Sequence, residues 1–180
     1  MDDYARLTAP DTVRLERLLP TDVEDAWTWL TDSDKRGRWL AKGPMELRVG
    51  GAVRLDFLHA ELTPHREAVP ERFKGVENGH QLNGRILECD PPHRLSFTWG
   101  DTREVPSEVT FELTPEGAGT RLSITHRRLP ADQLVNVSGG WHVHVAVLAA
   151  KLAHQTPPLF WATLTDAEAE YRRRYAAGPQ

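Results

Sequence analysis

The feature that most constrains the fold is a long alternation of apolar and polar residues, followed by one long amphipathic helix pattern. The alternation runs from Ala52 to Arg128 and is interrupted by turn residues, which predicts consecutive β-strands with one apolar face each. Short turns require antiparallel neighbours. The helix pattern begins at Gly140. A helix laid across such a sheet leaves a space between two apolar surfaces, so the pattern predicts a container.

The positions of the apolar residues predict the individual strands. A short strand at Leu47 and Val49 is predicted to lead into a tight turn at Gly50-Gly51. The other strand patterns are Val13 and Leu15; Val53, Leu55 and Phe57; Leu82 to Cys89; Leu95, Phe97 and Trp99; Val109, Phe111 and Leu113; and Leu122, Ile124 and His126. They predict a first strand and a later six-strand meander. The segment from Thr63 to Gly79 is rich in Pro, Glu and Arg and is predicted to be an extended loop.

Capping signals and helical spacing predict the helices. Thr21 and Glu24 have the spacing of a capping box, so we expect a helix to begin there. The residues from Asp32 to Arg38 are typical of a turn or a short second helix. A second capping box, Thr165 with Glu168, predicts the start of a terminal helix. The long helix predicted to begin at Gly140 has one apolar stripe, formed by Trp141, His144, Val145, Leu148 and Leu152.

Composition excludes several classes of protein. The 180 residues suit one domain, and acids and bases are interspersed at a net charge of −4, which disfavours nucleic acid as a partner. The single cysteine, Cys89, excludes an intramolecular disulfide and a cysteine zinc cluster. No segment resembles a secretory signal or a membrane span. We therefore expect a cytoplasmic protein with no membrane partner, divided into a tail over 1–11, a domain over 12–155 and a helical extension over 156–180.

Several stretches of the chain resemble a known family. They are Val13 to Arg17, Ala26 to Leu30, Gly37-Arg38-Trp39, Gly50-Gly51, Gly84 through Trp99, and Gly139-Gly140-Trp141-His142. Over residues 12–155 they resemble the START-like (SRPBCC) superfamily. Within it they resemble the family of the C-terminal domain of the activator of the heat-shock protein 90 ATPase. The segment from Phe160-Trp161 to Tyr171 is similar to the tails of bacterial members.

The resemblance implies an α+β, helix-grip fold like that of START domains and birch-pollen-type allergens. In this fold a curved antiparallel sheet wraps around a long C-terminal helix, with two short helices after strand 1 and, here, an extra terminal helix. The eukaryotic co-chaperones of the family carry an additional N-terminal domain, and we expect none before Asp11. The resemblance also implies a chaperone partner or a stress-related role.

The residues expected to line the pocket are mainly aromatic, because aromatic rings offer large rigid surfaces to a flat or apolar ligand. The candidates are Trp39, Leu55, Phe57, His59, Phe97, Trp99, Phe111, Trp141, His144, Val145 and Leu148. His142 and His144 lie about 200° apart on a helix, so they are not expected to chelate one metal. No phosphate-binding, dinucleotide-binding or zinc-protease motif occurs. We expect no cofactor and no metal.

Three functions remain open from the sequence. The first is the binding of a small hydrophobic or aromatic ligand between the sheet and the long helix, without catalysis. The second is an enzyme of the cyclase or hydrolase type, in which His144 or His59 carries a proton. The third is a chaperone-associated interaction module. A homodimer is compatible with all three. The alternative to a functional role for His144 is a structural one, as a histidine at the edge of the core that is hydrogen-bonded by backbone or water.

Overall fold

The computed structural model describes residues 3–100 and 102–177. The described strands form one antiparallel sheet in the order β1-β2-β7-β6-β5-β4-β3. The strands are β1 (Arg6–Ala9), β2 (Thr12–Leu19), β3 (Ala52–Phe57), β4 (His80–Asp90), β5 (Arg94–Trp99), β6 (Ser107–Glu116) and β7 (Gly119–Arg127). The sheet is curved and carries a long C-terminal helix, which confirms the predicted α+β, helix-grip architecture.

Two short helices lie between β2 and β3, and two longer helices follow β7. They are α1 (Val23–Thr31), α2 (Ser33–Arg36), α3 (Leu134–Leu152) and α4 (Phe160–Ala176). Short 3-10 turns occur at His59–Glu61, Glu71–Val76 and Ala131–Gln133. The second of these turns lies inside the predicted loop from Thr63 to Gly79. None of the described helices is long and apolar enough to cross a membrane.

The alternation of the sequence produces the two faces of the sheet. In β3, Val53, Leu55 and Phe57 are buried while Arg54 between them is exposed, because successive side chains point to opposite faces. Gly84 permits β4 to approach β5 closely. A β-carbon at Gly84 would lie 2.0 Å from the carbonyl oxygen of Thr98, so a larger residue would push the two strands apart.

The predicted strand at Leu47 and Val49 is wrong. Both side chains are exposed, and a turn occupies this segment, with the N–H of Gly51 donating to the carbonyl of Arg48 at 2.8 Å. Gly50 has a φ of +79°, which favours glycine. The meander therefore has the strands β3 to β7 only. The residues just before this turn contribute isolated bridges to β3 instead.

The predicted beginnings of three helices are also wrong. The cap of α1 is Asp22 and not Thr21, since the Asp22 carboxylate accepts from the N–H of Asp25 at 2.8 Å. The long helix α3 begins at Leu134 rather than at Gly140, because its glycines are accommodated within the helix. A β-carbon at Gly139 would lie 2.7 Å from Cγ of Glu168, so this glycine lets α4 pack closely.

The terminal helix begins at Phe160, five residues before Thr165, which lies inside it. The Thr165 hydroxyl donates to the carbonyl of Trp161 at 2.8 Å. The N-terminus of α4 is capped from a distant part of the chain, because the Glu67 carboxylate accepts from the N–H groups of Trp161 and Ala162 at 3.2 and 3.0 Å. Local sequence could not show this cap. Within α4, Arg172 pairs with Glu168 at 3.1 Å.

Both ends of the described chain join the main core. β1 lies within the predicted tail over 1–11 and pairs with β2. The N–H of Ala5 donates to the hydroxyl of Tyr171 on α4 at 2.8 Å. Phe160, Trp161 and Leu164 of α4 are buried in the same apolar cluster as the sheet. Residues 1–2 of the predicted tail and 178–180 of the predicted extension lie outside the described residues.

Candidate functional site

A cavity of about 190 Å³ lies between the sheet and the two C-terminal helices and is partly open to solvent. The sheet side contributes Phe57 and Trp99, and α3 contributes Trp141 and His144. His59, in the 3-10 turn after β3, also lines it. His59 follows the end of β3 at Phe57, and its ring reaches the cavity from the turn and not from a strand.

The other candidate residues lie in the packed core beside the cavity and outside its lining. These residues are Trp39, Leu55, Phe97, Phe111, Val145 and Leu148, all buried. On α3 the apolar stripe is wider than the cavity, so Trp141 and His144 reach the open volume while Val145 and Leu148 pack against protein. Phe97 and Phe111 stack on each other with ring centroids 5.9 Å apart.

Several lining residues were missed by the sequence analysis, and three of them lie on α4. Phe160, Trp161 and Leu164 form one wall of the cavity. Their spacing is that of an apolar helix face, so the signal was present in the sequence. It was masked by the expected helix start at Thr165. His126 and His80 line the cavity as well. The position of His126 on the apolar strand face of Leu122 and Ile124 was a signal for this role, whereas that of His80 was not.

The inner wall of the cavity is held by a chain of hydrogen bonds. Trp141 Nε1 donates to Nδ1 of His126 at 3.1 Å, and His126 Nε2 lies 2.9 Å from the hydroxyl oxygen of Ser107. Because Nδ1 accepts, Nε2 carries the proton and donates to Ser107. Burial lowers the pKa of His126 to about 3. The ring is therefore neutral, and both of its nitrogens are engaged.

His144 has one engaged nitrogen and one open nitrogen. Its Nδ1 lies 2.6 Å from the backbone carbonyl oxygen of Trp39, so Nδ1 must carry a proton and donate it. Burial, and then the nearby His59, lower the pKa of His144 to about 3. The ring is neutral and Nε2 keeps a lone pair. No residue in the described part of the chain makes a hydrogen bond to that atom.

The mouth of the cavity is formed by stacked rings. Phe57 and His80 lie parallel with centroids 4.6 Å apart, and His59 is 5.8 Å from His80 and 5.5 Å from His144. Burial, and then His80, lower the pKa of His59 to about 4. Burial also lowers the pKa of His80. Among the described residues, no group of three or more His, Cys, Asp or Glu side chains could hold a metal ion.

The segment from Thr63 to Gly79 covers one side of the cavity and is fastened to α4. Phe73 lines the cavity and stacks on Trp161 with centroids 5.0 Å apart. Arg72 donates to Glu168 at 2.5 Å. With the cap that Glu67 makes on α4, these contacts hold the segment against the helix.

Comparison with known proteins places these features in a family. Residues 20–153 match the family described as Activator of Hsp90 ATPase homolog 1-like protein. The chain is similar to the solution NMR structure of the protein encoded by gene BPP1335 from Bordetella parapertussis, at 46% identity and TM-score 0.79, covering 94% of this chain and 88% of that chain. No curated protein matches the chain in sequence.

Two further structures are similar in fold alone. CalU16 from Micromonospora echinospora is 24% identical at TM-score 0.67, and the match covers 93% of this chain and 92% of that one. DynU16, a putative protein in the dynemicin biosynthetic locus, is 20% identical at TM-score 0.59, with 82% of this chain and 49% of that one covered.

Proposed function

Because the chain belongs to the family of Activator of Hsp90 ATPase homolog 1-like proteins, we propose that it binds a small hydrophobic or aromatic molecule between the sheet and α3. The fold of this family commonly binds hydrophobic ligands. The observation that carries the proposal is the cavity of about 190 Å³, whose lining is mainly aromatic and aliphatic. Such a lining is typical of small-molecule sites, where apolar walls surround a few polar groups.

The volume of the cavity limits the size of the ligand. An apolar cavity of about 150 Å³ admits benzene, so about 190 Å³ suits one aromatic ring with a short substituent. Trp99 and Trp141 meet edge to face at 5.0 Å on the inner wall. Aromatic rings favour this edge-to-face contact and offset stacking, so a flat ring in the cavity would find rigid partners.

The histidines of the cavity favour binding over proton transfer. A general acid or base works best with a pKa near the operating pH. Burial lowers the pKa of His144 and His126 to about 3 and that of His59 to about 4. These side chains are neutral near pH 7 and are weak bases. We propose that they act as hydrogen-bonding groups of a binding site. The proposed function does not include the ATPase activation in the family name.

Filling the cavity from α3 tests the proposal. Gly140 lines the cavity, and a β-carbon there would have no heavy atom within 4 Å. We expect Gly140→Leu to occupy the open volume and to reduce the affinity for toluene at least tenfold, measured by ligand-observed NMR on the full chain. The fold should be kept or stabilised by about 1 kcal/mol, because glycine is a poor helix former.

Ala153→Leu is the matched control, since Ala153 is exposed at the end of α3 and lies outside the cavity lining. This variant should bind toluene as the unchanged protein does. Failure of the unchanged protein to bind toluene or any other small single-ring ligand, or equal toluene affinity in the folded Gly140→Leu variant, would refute the proposed site.

A further inference from the structure

We infer that the ligand carries a neutral hydrogen-bond donor, such as a phenolic hydroxyl group, which donates to Nε2 of His144. This inference rests on the proposed function and names the chemical class of its ligand. The inference concerns the polar group of the ligand, whereas the proposed function concerns its apolar part. The two can therefore fail separately.

Nε2 of His144 is an open acceptor in the cavity, and its ring is more buried than the rings of His59 and His80, which also line the cavity. The side chain is only 6% exposed and lines the cavity. Its ring lies 5.2 Å from Phe160 and 5.5 Å from His59, both of which are also lining residues. Nδ1 is already bonded to the carbonyl of Trp39, so Nε2 lies on the other side of the ring. Nε2 has no hydrogen-bond partner among the described residues and faces the partly open cavity, so a donor on the ligand would give it one within the apolar lining.

The acceptor is held in place before any ligand arrives. The indole Nε1 of Trp39 donates to the carbonyl of Trp29 at 2.8 Å, and the Trp39 side chain is fully buried. The carbonyl of Trp39 therefore fixes the tautomer and the direction of the His144 ring. A preorganised acceptor discriminates between ligands, because a ligand without a donor leaves it unpaired.

His126 shows why the inference singles out His144. Both histidines line the same cavity, but the two nitrogens of His126 are engaged with Trp141 and Ser107. An incoming hydroxyl group would have to displace one of these bonds. At Nε2 of His144 the bond can form without breaking a hydrogen bond within the described part of the protein.

The charges around the cavity select a neutral ligand. The lining among the described residues holds no Lys, Arg, Asp or Glu side chain. Burial keeps the pKa of His144 at about 3, so the ring provides no positive charge for a carboxylate near pH 7. An anion or an ammonium group would be buried without a counter-charge, which is strongly unfavourable.

A matched set of single-ring ligands tests the inference on the full chain. 4-Methylphenol offers a donor, toluene offers no polar group, 4-methylanisole offers an oxygen without a donor, and 4-methylbenzoate is an anion. We expect 4-methylphenol to bind at least tenfold more tightly than toluene and 4-methylanisole near pH 7, and 4-methylbenzoate not to bind. Equal affinities for 4-methylphenol and toluene would overturn the inference while the proposed function stands. If none of the four binds, the proposed function fails and the inference with it.

His144→Asn tests the atom itself. The asparagine amide can still donate to the carbonyl of Trp39, but it has no group in place of Nε2. We expect the preference for 4-methylphenol over toluene to fall to near unity while toluene still binds. An unchanged preference would overturn the inference.

A measurement on the unchanged protein covers the case in which this variant does not fold. The ¹⁵N resonance of His144 Nε2 should shift on addition of 4-methylphenol and stay in place with toluene. The nitrogens of His126, which are already bonded, serve as the internal control. A shift at His126 alone would contradict the assignment to His144.

Discussion

At the scale of single residues, one buried arginine organises the chain segment that holds His144. Arg36 is 1% exposed, and its guanidinium donates to backbone carbonyls rather than to a carboxylate. The acceptors are the carbonyls of Leu30, Thr31, Ala41 and Gly43. Burial lowers its pKa to about 10, so it stays charged. These bonds join the end of α1 to the segment on either side of Trp39.

Removal of this guanidinium should destabilise the protein strongly. We expect Arg36→Met to lower the free energy of unfolding by about 3 kcal/mol, because several buried carbonyls lose their donor at once. Urea denaturation measures the effect. Arg38→Met is the control, since Arg38 is exposed and lies over the Trp29 ring at 4.8 Å, and it should cost less than about 1 kcal/mol. Equal losses for the two variants would contradict this role of Arg36.

Three histidines with lowered pKa values predict a loss of stability in mild acid. The pKa is about 3 in His126 and His144 and about 4 in His59, while histidine in an unfolded chain titrates near 6.5. Below about pH 6.5 the unfolded state therefore binds protons that the folded state does not. The stability is fully present above that pH and falls as the pH falls toward the folded values.

The expected slope between pH 6.5 and pH 5 approaches about 1.4 kcal/mol per pH unit for each of these histidines. Urea denaturation at pH 7, 6 and 5 measures it. His144→Asn should reduce the slope by the share of one histidine. A free energy of unfolding that stays constant or rises as the pH is lowered from 6.5 to 5 would contradict the neutral state of these rings.

At the scale of elements, α4 depends on a cap that comes from the segment over the cavity. Glu67 lies 94 residues before Trp161, and its carboxylate accepts a hydrogen bond from the N–H of Trp161. Because the same segment carries Phe73 against Trp161, the cap and the cavity cover are one structural unit. Loss of the cap should therefore loosen both the first turn of α4 and the segment from Thr63 to Gly79.

We expect Glu67→Ala to cost about 1 kcal/mol of stability, the usual effect of a lost N-cap. Amide hydrogen exchange should become faster at Trp161 and Ala162 and across the segment. Glu71→Ala is the control from the same segment, because the exposed Glu71 side chain pairs only with Lys74 among the described residues. Equal exchange rates in the two variants would contradict the proposed capping role.

The sequence predicted the elements that depend on local pattern and failed where distant contacts decide. Alternation predicted β3 correctly because Val53, Leu55 and Phe57 share a buried face. The start of α4 could not be predicted from a local cap, because its cap is Glu67. Leu47 and Val49 alternate like a strand but are not buried, so apolar pattern alone was misleading there.

At the scale of the whole molecule, the cavity arises because the sheet, α3 and α4 meet without filling the space between them. The sequence could predict the sheet and α3 as its walls, and Phe57, Trp99, Trp141 and His144 as residues near it. The wall from α4 was missed although Phe160, Trp161 and Leu164 have helical spacing, because the helix was expected to start at Thr165. Packing decides which residues of the apolar stripe of α3 reach the cavity, and the periodicity of the sequence does not encode this packing.

The most direct test of ligand binding in the cavity is the solution structure of the full chain with 4-methylphenol, determined from intermolecular nuclear Overhauser effects. We predict contacts from the ligand ring to Trp99, Trp141 and Phe160, with the ligand oxygen within hydrogen-bonding distance of His144 Nε2. A ligand found on the outer surface, or inner rings that stay in contact with one another and admit no ligand, would contradict this prediction.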